Sequence, residues 1–93
     1  MDDKISVDKV EKYIRLSKKA FEKARLKINK KREEEASKIL EMVSCYISDS
    51  EYFLNNNNFV NAFAAVNYAH GWLDAGARLG IFKVRDRKLF AVK

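Results

Sequence analysis

The stretch from Phe59 to Gly80, FVNAFAAVNYAHGWLDAGARLG, limits what this chain can fold into more than any other. It is dense in alanine and carries the only His, the only Trp and all three Gly of the sequence. Its apolar residues Ala62, Phe63, Val66, Ala69, Leu73 and Ala77 recur at helical spacing, with Phe59, Tyr68 and Trp72 along the edge of that stripe. Glycine inside a helix costs about 1 kcal/mol against alanine. Gly71 and Gly76 are therefore expected to be offset by close approach of a neighbour. A helix so short of bulk belongs at the centre of a small bundle. Gly80 is the natural residue just past its end, with Arg78 in the last turn beside the negative end of the helix dipole.

Four asparagines, Asn55 to Asn58, precede this helix. Asn tolerates the left-handed conformation that ends one helix and also caps the start of the next. So short a connection predicts antiparallel neighbours, with a preceding helix over about 33–54. That helix opens on Glu33, Glu34 and Glu35 and buries Ala36, Ile39, Leu40, Val43, Ile47, Ser50 and Leu54, with Tyr46 and Phe53 flanking. A first helix over about 6–29 starts at Ser6 and turns Val7, Val10, Ile14, Ser17, Phe21, Ala24 and Ile28 inward. Glu11 with Arg15 and Lys18 with Glu22 are spaced as i,i+4 pairs on its surface. Continuing its stripe through NKKREEE would bury Lys31, Arg32 or Glu35, at several kcal/mol for an unpaired charge, so a break is expected near Asn29 to Arg32.

After Gly80 the texture changes. IFKV and LFAV flank RDRK, which reads as a short β-hairpin or an extended tail over 81–93. An isolated hairpin is marginal in water, so Phe82 or Phe90 must lean on the bundle or the hairpin must pair with another chain. The expected architecture is one all-α domain over residues 1–93, an antiparallel three-helix bundle with that appendage. No Pro occurs anywhere and no apolar run approaches the ~20 residues of a membrane span. The N-terminal residues lack the apolar segment of a secretory signal, and the lone Cys45 fits a reducing compartment, so a cytoplasmic protein is expected.

Charge is unevenly placed. Residues 1–32 hold 12 basic and 5 acidic side chains, residues 33–76 hold 1 and 7, and residues 77–93 hold 6 and 1. These segments carry +7, −6 and +5, which together give the net +6. The basic and acidic segments could attract one another across the bundle, or the basic ones could face an anionic partner. Lys12, Arg15, Lys19, Lys23, Lys27 and Lys30 form a stripe opposite the apolar face of the first helix. A solvated Lys-rich face is the ordinary reading of such a stripe. The alternative is a nucleic-acid accessory contacting phosphates with strong salt dependence. No aromatics interleave with the stripe, and no recognised nucleic-acid motif accompanies it.

A family resemblance rests on particular residues. Tyr46, Asp49, Tyr52, Phe53, the Asn-rich turn, Ala62 and the string Tyr68-Ala69-His70-Gly71-Trp72-Leu73-Asp74-Ala75 resemble the DUF357 family, short and mostly archaeal proteins. The likeness covers roughly residues 40–82, and the first helix by length and pattern. It implies a three-helix bundle similar to the immunoglobulin/albumin-binding-domain-like folds. It implies no catalytic residues, since the family is one of unknown function.

Tyr46, Asp49, His70 and Asp74 could meet as a polar cluster between the second and third helices, read either as an acid–base notch or as groups satisfying one another. The second is favoured. One His and one Cys exclude a structural zinc site of Cys and His ligands. Cys45 has acidic neighbours and no base beside it to make it a nucleophile, and sits off the main stripe as a filler. No phosphate-binding glycine loop or nucleophile elbow is present, and no catalytic residue, metal or cofactor is expected. The leading functional expectation is a non-enzymatic interaction module or homodimer using Tyr68, Trp72, Arg78, Phe82 and Phe90, whose aromatics exceed what so small a core can readily bury.

Overall fold

The computed structural model describes residues 6–91. Three helices follow in order: α1, Val7–Leu26; α2, Glu33–Asn55; and α3, Phe59–Arg78. They run up, down and up. The Oγ of Ser6 caps α1 by accepting from Lys9 N–H at 3.2 Å. The break comes earlier than expected: α1 ends at Leu26 rather than near Asn29, and a single 3-10 turn, Lys30–Arg32, then leads straight into α2. In the asparagine turn, Asn57 takes a positive φ of 59°. Asn58 N–H donates to Phe53 O and Asn57 N–H to Leu54 O, the paired bonds that close a helix end through a left-handed residue. Gly80, with φ 75°, ends α3 the same way: Ile81 N–H reaches Gly76 O at 2.9 Å and Gly80 N–H reaches Ala77 O at 3.2 Å.

The core has a larger section and a smaller one. The larger joins Ala20, Ala24, Ile39, Val43, Leu73 and Ala77 to residues beyond α3. The smaller gathers Val10, Ile14, Ala62 and Val66 under Phe53, Phe59 and Phe63 near the asparagine turn. Alanines along α3 (Ala62, Ala65, Ala69, Ala77) let the other helices close in, and Ser50, fully buried on α2, donates to the carbonyl of Ala62 at 2.6 Å. Two surface pairs differ from the i,i+4 expectation. Lys18 reaches across the bundle to Glu51 at 2.6 Å, and Glu22 bonds Arg25 rather than Lys18.

The expected hairpin does not form among the described residues, and the chain beyond α3 is an extended tail. IFKV does not turn back onto LFAV; it runs beside the end of α1, with an isolated antiparallel bridge between Ile28 and Phe82 and a bond from Lys83 N–H to Lys27 O at 2.7 Å. Asp86 then turns the chain, its carbonyl accepting from Leu89 and Phe90 N–H. Ile81, Phe82, Leu89 and Phe90 are buried in the larger core section, so helices rather than a second strand satisfy the apolar residues that suggested a hairpin. Val92 and Lys93, the end of that expected element, lie outside the described residues. At the same end of the bundle, Asn29 donates from Nδ2 to Gly80 O at 3.0 Å and from its backbone to Ile81 O at 2.9 Å, while Arg32 donates to Leu79 O at 2.6 Å. The α1–α2 connection thereby satisfies the carbonyls of the three residues just past α3.

Candidate functional site

His70 holds α1, α3 and the tail together. A carbonyl can only accept, so in the neutral ring Nε2–H donates to Leu89 O at 2.6 Å, which leaves Nδ1 to accept from the Ser17 hydroxyl at 2.9 Å. Asp74, one turn further along α3, lies 3.7 Å from Nε2 and accepts from Ala91 N–H at 2.9 Å. Ser17 is 1% exposed, so its hydroxyl is closed to any substrate. These groups form a clasp on the tail.

The expected four-residue cluster is split. His70 and Asp74 face α1 and the tail, whereas Asp49 is exposed on the outer side of α2. Tyr46 stacks on Tyr68 with ring centroids 5.5 Å apart and planes 16° apart. The helical phase of α2 turns Asp49 into solvent because Val43, Ile47 and Ser50 take the core side. Among the described residues no group of three His, Cys, Asp or Glu comes together. Cys45 is exposed beside Lys38, Glu41 and Asp49.

The expected interaction face divides as well. Phe82 and Phe90 are 1% and 2% exposed and belong to the core, so they cannot meet a partner. Nor does the tail cover Trp72, which remains 39% exposed. Of the eight large apolar or aromatic side chains exposed among the described residues, four (Val60, Tyr68 and Trp72 of α3 and Leu79 at its C-cap) lie on one side of that helix. Between them runs an open groove of about 540 Å³ lined by Ala64, Asn67, Tyr68, Gly71, Trp72 and Ala75. A Cβ placed on Gly71 would meet nothing within 4 Å. Arg78, exposed at the end of α3, carries the one formal charge on this face.

The basic stripe of α1 is exposed along its length. Lys23 departs from a merely solvated role, pairing with Asp86 of the tail at 2.7 Å. That bond, with the Lys88 N–H donated to Oδ1, holds the Asp86 carboxyl below the usual range. Sequence reading missed Ser17, Asn29 and Arg32 as tertiary ligands. Ser17 left one signal, a small polar residue within an apolar stripe; Asn29 and Arg32 left none beyond their place at the break.

These features define a small helical bundle with a clasped tail and one uncovered, nearly uncharged helix face. The chain belongs to the family described as Protein of unknown function (DUF357), which matches residues 12–82. The likeness noted over residues 40–82 thus holds and extends through most of α1. No curated protein and no solved structure matches the chain.

Proposed function

We propose that this protein is a non-enzymatic interaction module that pairs with a second copy of itself through the outer face of α3. The observation that carries this reading is the gathering of Val60, Tyr68, Trp72 and Leu79 around a glycine whose added Cβ would meet nothing within 4 Å among the described residues. A solvent-facing glycine at mid-helix weakens the helix without any return inside the monomer. A notch there lets a second helix backbone come close. The choice of a second copy rests on charge. Each chain carries +6, so two copies repel at most faces, whereas the one formal charge from Val60 to Ala75 is Asp74, which is turned to the tail. The size is that of a weak, transient contact: a 20-residue helix is about 30 Å long and about 10–12 Å across, so the face offers on the order of 300 Å² per protomer. Both ring nitrogens of His70 are engaged within the protein, which supports a non-enzymatic role. The lone thiol supports a cytoplasmic setting. No helix among the described residues is long and apolar enough to cross a membrane.

Sedimentation equilibrium tests the proposal. A reversible dimer with a Kd of about 1–100 μM is expected, with Trp72→Glu monomeric at unchanged helix content. A wild-type chain that stays monomeric into the millimolar range overturns it.

A further inference from the structure

The tail does something that the charge pattern along the chain does not foretell. Residues 77–93 carry +5, and the acidic α2 would be their natural neighbour. Instead Phe82 and Phe90 anchor the tail in the core, and its backbone lies against the basic end of α1 through Lys83 N–H to Lys27 O. Apolar tail residues turn inward, and Lys83, Arg85, Arg87 and Lys88 remain exposed. Their segment meets the basic stripe at Lys27, through the backbone, and at Lys23, through Asp86, with Lys19 one turn back along α1 and Lys30 at the head of the connection. Eight cations thus share this side of the bundle with two carboxylates among the described residues, Asp86 and the partly buried Asp74, which gives +6; Lys23 already engages Asp86 and the Ala91 N–H engages Asp74. Folding concentrates like charge here, an arrangement that an anionic polymer relieves.

We propose that this composite surface, built by α1 and the tail together, binds the phosphate backbone of double-stranded nucleic acid without regard to sequence. Lys19 to Lys27 span about 12 Å of helix axis, and duplex DNA carries about seven phosphate charges over that length, comparable to the charge of the patch. The tail adds a second row of cations beside the first, so phosphates on two strands can be met at once. A duplex is favoured over a single strand because the aromatics of the tail are buried and offer no platform for unstacked bases. The surface lies apart from the outer face of α3, and neither proposal depends on the other.

The test is a fluorescence anisotropy titration of the full chain with a labelled random-sequence duplex of about 20 base pairs, at roughly 50 and 200 mM salt. Binding at the lower salt and marked weakening at the higher are expected. Arg85→Gln/Arg87→Gln should weaken binding about tenfold and shallow the salt dependence by about two phosphates. Lys18→Gln/Lys38→Gln, which removes equal charge away from the tail, should stay within about twofold. Circular dichroism verifies that both variants fold. No binding at low salt overturns the proposal, as does an equal loss in the two variants, which would mean net charge alone is responsible. Tighter binding to phosphatidylserine vesicles than to the duplex also overturns it, in favour of a membrane surface.

Discussion

Two glycines five residues apart on α3 face opposite circumstances. A Cβ on Gly76 would stand 2.6 Å from Cδ2 of Phe82 and closer still to the next ring carbon, so the absence of a side chain seats that ring. Gly71 faces open space. The same residue type costs the helix about as much at both places. On the tail side the cost is offset within the monomer, by burial of Phe82. On the outer side nothing among the described residues offsets it, which is the contrast behind the proposed pairing.

The sharpest break in this contrast is to remove the ring itself. Phe82→Ala should destabilise by about 3–5 kcal/mol in urea unfolding, because it leaves a cavity at the junction of α1, α3 and the tail. Next, Gly76→Ala should cost about 1–3 kcal/mol by overpacking against that ring. Ser17→Ala should cost about 1 kcal/mol, since it strips His70 Nδ1 of its partner, and amide exchange at the tail should accelerate with it. Gly71→Ala should act in the other direction, stabilising the dilute monomer by about 0.5–1 kcal/mol because φ is helical and the space is empty. A loss of stability there would mean that the outer face is already in use within the monomer.

The smallest effect concerns pH. The folded pKa of Asp86 is held below its usual 3.8, chiefly by the hydrogen bond from Lys23. A carboxyl with a depressed pKa lends stability that is fully present above the ordinary value and is lost as pH falls through the lowered one. The stability difference between wild type and Asp86→Asn should therefore be flat above pH 3.8 and close below it. Because this pair is exposed, the difference should be small.

The helices could be read from the sequence because their determinants are local. The spacing of Val10, Ile14 and Ser17, the asparagine run and Gly80 each act within a turn or two of chain, and the break near Asn29 followed from charges that could not be buried. The tail resisted such reading. IFKV has β-leaning residues, but that leaning measures fit to a half-buried surface and does not say which surface. Here the surface was the seam between α1 and α3, opened by a glycine notch. The polar cluster failed for a related reason: Tyr46 and Asp49 depend on how far α2 is rotated, and the true partner of His70, Ser17, lies 53 residues away.

The route of the tail also bears on how the molecule is made. Ile81, Phe82, Leu89 and Phe90 complete a core whose other walls come from helices synthesised earlier. Without these residues the three helices leave a hollow lined by Ala20, Ala24, Leu73 and Gly76. Residues 81–90 act as a closing wedge, so cooperative folding must wait until they have been made.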